Sequence, residues 1–204
     1  ALVNPAAKKN NSILSTIMGI EGKFLVRLGD DYLSWNQIQV VWDSGSYDYY
    51  GRPVEGKLSN INMTVNANEW SHIAVTFGEK TIKVYVNGVE KGSSTTNVPS
   101  SVNFGIAHND EQGTRITRCF WVGYSYEHAR YFPGMMSELR IWNRVLTADE
   151  LANATRRYGV DPKSEGLVTY WKCDEGQGDV IKDHTSYRND LASDGLKWEP
   201  VSLP

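Results

Sequence analysis

The chain has 204 residues, 40% of them hydrophobic and 22% charged, with a formal net charge of −3. This composition supplies a core for one domain or two small ones and excludes a disordered chain. Both charge signs are scattered with no basic run, which excludes a dedicated nucleic-acid binder, and no stretch of about 18 apolar residues exists to span a membrane as a helix. The opening Ala1-Leu2-Val3-Asn4-Pro5, without a Met, reads as lacking a signal peptide and as a processed or trimmed piece of a longer precursor.

Strand signals run through the chain. In residues 23–28, Phe24, Val26 and Leu28 alternate with Leu25 and Arg27, and Gly29-Asp30-Asp31 breaks the run. Residues 37–42 place Ile38, Val40 and Trp42 on one face and Gln37, Gln39 and Val41 on the other, close enough to pair with the first run as a hairpin. Residues 44–56, rich in Gly, Ser, Asp and Tyr, read as loop. Residues 70–77 and 81–86 are two strands joined at Gly78-Glu79-Lys80, and Asn87-Gly88 turns the chain into a third, because both residues tolerate positive φ. Polar loops follow at 93–101 and 109–114, then strands at 119–124 and 136–142. Thr147-Ala148-Asp149-Glu150 is a capping box that starts the one expected helix. Residues 167–172 form a further strand, and 183–190 a polar loop. Many strands, short turns and a single short helix predict an all-β, two-sheet antiparallel jelly-roll sandwich.

Two groups of residues carry a resemblance. The first is Trp70-Ser71-His72-Ile73-Ala74-Val75-Thr76-Phe77 followed by Tyr85-Val86-Asn87-Gly88. The second is Phe132-Pro133-Gly134, then Glu138-Leu139-Arg140-Ile141-Trp142, then the helix at Thr147. Together they resemble the laminin-G-like, concanavalin A-like jelly-roll modules of bacteria over most of residues 1–152. The tail, from Leu167-Val168-Thr169-Tyr170-Trp171 to Asp183-His184-Thr185, is similar to the segment that opens such modules. The resemblance therefore implies one permuted module over residues 1–204, in which 165–204 supply the usual opening strand and Ala1–Pro5 are the tail of a family strand. The arrangement also resembles the C-terminal part of glycan-associated surface lipoproteins of gut bacteria, which implies attachment to a further N-terminal domain and an extracellular, cell-surface or periplasmic location.

Catalysis is not expected. Glucanases of this fold carry paired carboxylates in a Glu-x-Asp-x-x-Glu pattern, which this sequence lacks, and the adjacent Asp174 and Glu175 would leave an extended strand on opposite faces. No Gly-x-Ser-x-Gly, His-Glu-x-x-His or phosphate loop occurs. His72, His108, His128 and His184 are scattered, and His72 reads as structural. Cys119 and Cys173 either pair or stand as two buried thiols; two cysteines leave both open.

The resemblance implies a structural calcium, with Asp183 and Asn189 as the matching positions; Ser186, Arg188 and Ser137-Glu138 depart from the pattern. Sugar sites combine aromatic faces, which stack on the C–H face of a pyranose, with planar polar groups that bond its hydroxyls. Three regions offer this chemistry: Trp35 and Trp42 with Arg27, Gln37 and Gln39; Tyr47, Tyr49 and Tyr50; and Tyr124, Tyr126, His128, Arg130 and Tyr131. If the apolar strand faces are core, Arg27, Gln37 and Gln39 point outward together. A noncatalytic carbohydrate-binding module with a glycan partner is the expectation; a protein-interaction or adhesion module, or a structural spacer, is the alternative.

Overall fold

The computed structural model describes residues 1–7, 14–102, 107–109, 115–117, 120–124, 130–193 and 195–203. The chain passes through β1 (Leu2–Pro5), β2 (Ser15–Ile20), β3 (Phe24–Asp30), β4 (Leu33–Tyr47), β5 (Pro53–Leu58), β6 (Ser71–Gly78), β7 (Thr81–Val86) and β8 (Val89–Ser94). Short strands β9 (Ala107–Asn109), β10 (Arg115–Thr117) and β11 (Trp121–Val122) lead to β12 (Gly134–Ser137) and β13 (Leu139–Trp142). Helix α1 (Ala148–Ala152), a 3₁₀ turn (Ala154–Arg157), β14 (Leu167–Trp171), β15 (Val180–Ile181) and β16 (Leu191–Ala192) complete the order.

Two five-stranded antiparallel sheets, β12-β1-β6-β7-β8 and β11-β2-β3-β4-β5, carry the fold. The strand alternation decides which side chains meet between them. Val26 and Leu28 of β3, Ile38, Val40 and Trp42 of β4, and Ile73, Ile82, Val84 and Val86 of the opposite sheet form one buried cluster. The expected hairpin is β3–β4, in register Phe24↔Trp42 through Leu28↔Ile38. Asn87 and Gly88 both take positive φ in the β7–β8 turn, as their types allow. Thr147 accepts from the Glu150 N–H while the Glu150 carboxylate accepts from the Thr147 N–H, so the capping box forms as read.

Several elements depart from the sequence expectation, among them β5, which takes residues 53–56 from the expected loop, and the short β9, β10, β15 and β16, which the sequence reading did not mark. Residues 44–47 are not loop but the end of β4, which continues to Tyr47 past a register shift. Gly45, at φ +72, supplies the bulge, and Ser44 Oγ donates to Val54 O across the pair. Polar residues here hold the hairpin by hydrogen bonds, so no apolar alternation advertises it. The strand expected at 136–142 is broken into β12 and β13 at Glu138, whose φ is +55. That turn points the Glu138 carboxylate inward, where it accepts from Tyr170 Oη (2.5 Å) and pairs with Arg140. Strand β2 was unmarked in sequence; a register shift between Thr16 and Met18 disrupts its alternation.

The tail closes on the sandwich. β14 forms where expected and pairs with β13, from Leu139↔Trp171 to Trp142↔Leu167. Val160, Leu167 and Tyr170 make a second small buried cluster with Trp142 against it. Asp183 staples the following loop to β14: its Oδ1 accepts from the Tyr170 and Thr185 N–H groups, and its Oδ2 from Asn189 N–H and Thr185 Oγ1.

Candidate functional site

The residues expected at a sugar site fall into three separate places. The first lies along β11 at one edge of its sheet, where Trp121 pairs with Gly19 of β2. Gly123 N–H donates to Ile17 O, and Thr16 N–H donates to Arg130 O, so both chain segments are anchored on β2. Between these anchors Trp121 meets Tyr124 edge-on at 4.8 Å between ring centroids, and Tyr124 meets Tyr131 at 4.9 Å with the rings 31° apart. Trp121 is 40% and Tyr131 55% exposed. Arg130 Nη1 lies 2.8 Å from Glu21 Oε1, in the turn between β2 and β3. The result is a three-ring aromatic cluster, and the residue before Tyr131 in the chain, Arg130, forms an ion pair with Glu21. Tyr126 and His128 lie outside the described residues.

The second place is the face of the β3–β4 hairpin opposite the core. Arg27, Gln37 and Gln39 gather there as the alternation implies, but they are not exposed: only 7%, 8% and 6% of each remains accessible. Buried polar groups must bond to one another. Arg27 Nε and Nη2 both donate to Gln39 Oε1 at 2.9 and 2.6 Å, Nη2 also meets Asp30 Oδ2 at 2.9 Å, and Gln37 Nε2 donates to Ser59 Oγ at 3.1 Å. Leu25 and Val41, on the same face, are buried too. The expectation of an outward polar row is thus corrected: this face is itself interior, and the donors serve each other. Trp42 is corrected in the same way. It is 1% exposed in the main core, its Nε1 donates to Asn97 O, and it has no free face on which a sugar could stack.

The third place is the β4–β5 turn. Tyr49 and Tyr50 meet edge-on at 5.2 Å, and the Arg52 guanidinium lies 5.1 Å above the Tyr50 ring. Asp48 braces the turn by accepting from the Tyr50 and Arg52 N–H groups and from Arg52 Nε. Tyr47, Tyr49 and Tyr50 are all exposed. β5 and β11 are opposite edges of the sheet, so Tyr49 does not share a surface with the Trp121 cluster.

Metal-type donors were expected at Asp183 and Asn189. Each Asp183 oxygen already accepts two protein hydrogen bonds, and these N–H donors, with Thr185 Oγ1, hold its carboxyl below the usual range against the upward pull of burial. Asn189 is equally engaged: its N–H donates to Asp183, its Nδ2 to Thr169 Oγ1, and its carbonyl accepts from Trp171 Nε1. Next to this loop, Asp174, Glu175 and His184 bring ligand-type atoms within 4.8 Å of one another. Cys173 carries a free thiol pushed up to about 12, by burial and then by nearby carboxylates, which leaves it a poor nucleophile. Cys119 lies outside the described residues.

Sequence reasoning named Tyr124, Arg130 and Tyr131 but missed Trp121 and Glu21. Trp121 lay within a run read simply as a strand. Glu21 is 109 positions from Arg130, and no local pattern connects them.

Residues 1–152 match the laminin-G family model described as the concanavalin A-like lectin/glucanases superfamily. The chain belongs to this superfamily. Among solved structures it is similar to a candidate carbohydrate-binding protein from Bacteroides ovatus, at 26% identity and a TM-score of 0.70. The match covers 100% of this superfamily member and 53% of the Bacteroides protein, so the chain spans about half the length of that neighbour. Weaker likenesses are the binding domain of botulinum neurotoxin serotype G (15% identity, TM-score 0.37, 74% of this chain and 33% of that one) and an S-layer domain-containing protein from Clostridium thermocellum (21%, 0.30, 72% and 64%). No curated protein matches the chain by sequence. Among the described residues no helix is long and apolar enough to cross a membrane.

Proposed function

We propose that this superfamily member is a noncatalytic carbohydrate-binding module acting outside the cytoplasm, with Trp121, Tyr124 and Tyr131 as its sugar platform. One observation carries the reading: three touching aromatic rings, two of them well exposed, stand beside the Arg130–Glu21 pair on a sheet edge. Aromatic faces take the C–H side of a pyranose, and the guanidinium and carboxylate bond its hydroxyls. The candidate carbohydrate-binding role of the Bacteroides ovatus protein supports the same reading. Glu21 is paired with Arg130, which suits a ligand-positioning group better than a proton donor. The sequence, moreover, lacks the Glu-x-Asp-x-x-Glu pattern of the fold's glucanases.

A glycan-array screen of the purified chain tests this. Specific, saturable binding is expected. Trp121→Ala and Tyr131→Ala should each weaken it at least about tenfold, close to 1.4 kcal/mol per ring, with circular dichroism unchanged. Affinity untouched in both variants would sink the platform. A second reading, contact with another protein, is favoured by the exposed Tyr47, Tyr49 and Tyr50 at the β4–β5 turn, since tyrosines give rigid amphipathic contact area. A blank array from folded protein would move the weight there.

A further inference from the structure

Asp174 and Glu175, adjacent in sequence, would leave an extended strand on opposite faces, but the chain is not extended there. β14 ends at Trp171, and Cys173, two residues on, stands at φ +62. That left-handed residue, uncommon for anything but glycine, turns the chain and brings the next two carboxylates to one place. The returning segment is fixed beside them. Asp183 bridges to Trp171 in an antiparallel pair, the His184 N–H donates to Tyr170 O, and the His184 ring lies 6.0 Å from the Tyr170 ring. Lys182 N–H donates to Glu175 Oε1 at 2.7 Å, which fixes that carboxylate by one of its oxygens. Asp174, Glu175 and His184 thereby each offer one ligand-type atom, all within 4.8 Å of one another.

Two atoms of this cluster have no partner. Glu175 Oε2 and His184 Nε2 are both buried and make no hydrogen bond. His184 Nε2 stands 3.6 Å from Asp174 Oδ1, beyond hydrogen-bond reach. Buried polar atoms are bonded as a rule, so two bare ones in a single cluster point to a ligand. A water molecule supplies hydrogen bonds but no charge, and two carboxylates converge here. Among the described residues no lysine or arginine side chain pairs with either of them: Lys182 pairs with Asp190 at 3.2 Å, and Lys172 lies over the Tyr170 ring at 5.7 Å. The spacing suits a small cation, since two ligands each about 2.1 Å from a tetrahedral ion stand about 3.4 Å apart, close to the 3.6 Å found. The imidazole nitrogen decides the class. Calcium takes about six to eight oxygen ligands, whereas one imidazole with two carboxylates is a zinc-type set. We propose that Asp174, Glu175 and His184 bind a divalent ion of the zinc class, with a fourth position open to water, and that the ion ties the chain leaving β14 to the segment after β15. This site is distinct from the Asp183–Asn189 loop, where protein donors already take both Asp183 oxygens.

Calorimetric titration of the chelator-treated chain with zinc chloride tests the proposal, with cobalt(II) as a spectroscopic stand-in. The expected result is one zinc ion per chain, a melting temperature that rises with zinc concentration, and the visible absorption of four-coordinate cobalt. His184→Ala and Glu175→Gln should each weaken zinc binding at least about 100-fold, beyond what losing a group that merely orients a ligand costs. Glu175→Gln keeps the acceptor for the Lys182 N–H, and His184→Ala keeps the backbone bond to Tyr170, so both variants should fold, as circular dichroism would show. Asp174→Asn, at an exposed residue, decides where either of them does not. Calcium chloride should bind at least about 100-fold more weakly than zinc. Zinc affinity unchanged in the folded variants overturns the proposal, because the ion then sits elsewhere, for instance on a thiol. Calcium bound as tightly as zinc overturns it too, as does a chain that takes up no zinc.

Discussion

Burial fixes the protonation state of His72, which stands on β6 with 8% of its surface exposed. Burial first, then the Ala1 amine and the Arg140 and Arg157 guanidiniums, hold its imidazole down to about 2 from the ordinary 6.5. The unfolded chain therefore binds a proton between pH 6.5 and about 2 that the native chain does not. The sign follows: this contribution to stability is whole above pH 6.5 and is lost as the pH falls. Most carboxylates remain ionised down to about pH 5, and His72 contributes a loss of about 2 kcal/mol between pH 6.5 and 5; the Ala1 amine, held down to about 5 from the ordinary 8.0 by burial and then by Arg140, adds a loss of similar size over the same window. Urea midpoints at pH 7 and pH 5 read the sum, and His72→Leu should remove about half of the difference. A midpoint that does not move in the native sequence would contradict the burial argument. Sequence reading had His72 as structural, and its place in the strand that carries the family resemblance supplied that reading; its neighbours Arg140 and Arg157 come from distant segments and were not legible.

At the scale of the element, legibility followed apolar alternation. β7 was read from Thr81-Ile82-Lys83-Val84-Tyr85-Val86, and α1 from its capping box, because side-chain period and cap chemistry are local. The extension of β4 to Tyr47 was not, because the signal there is a glycine bulge and a serine bonding across the strand pair. The same period put Trp42 on the apolar face of its strand, yet the sequence reading took it for a sugar contact, and how it fits the core was not legible. Trp42 lies flat over Gly56 of β5, and a Cβ on Gly56 would stand 2.0 Å from its indole Cε2 and 2.1 Å from Nε1. No β-carbon fits between a fully buried ring and the backbone beside it. Gly56→Ala must push Trp42 into the packed core and strain its bond to Asn97 O, which predicts a loss of about 2–3 kcal/mol. Chemical denaturation with Trp fluorescence measures both the loss and the altered indole environment. A change below about 0.5 kcal/mol, within the range of an ordinary surface substitution, would mean that the ring is free to move.

For the whole molecule, the folded unit runs past the residues that match the superfamily. The superfamily match stops at residue 152, yet β13 has β14 as its ladder partner, and Glu138 and Arg140 are buried against Tyr170. Tyr170 is fully buried, and burial together with the Glu138 hydrogen bond holds its hydroxyl well above the usual phenol range, so it stays a neutral donor. The sugar platform was legible only in part for a related reason: it is assembled from β11, the segment at Arg130 and the turn at Glu21, which only the folded sheet brings together. The tail's role leads to a test by truncation. Removing residues 161–204 takes the partner from β13, uncovers Leu139, and leaves the Glu138 carboxylate without its tyrosine. Removing one partner from a buried charged network costs about 3–5 kcal/mol before any lost apolar burial is counted. At about 2–4 °C per kcal/mol for a domain of this size, the truncated chain should melt about 10 °C or more below the whole one, or not fold. Scanning calorimetry of the two chains decides it. A truncated chain that melts at the same temperature would make the tail an appendage and confine the cooperative unit to the residues of the superfamily match.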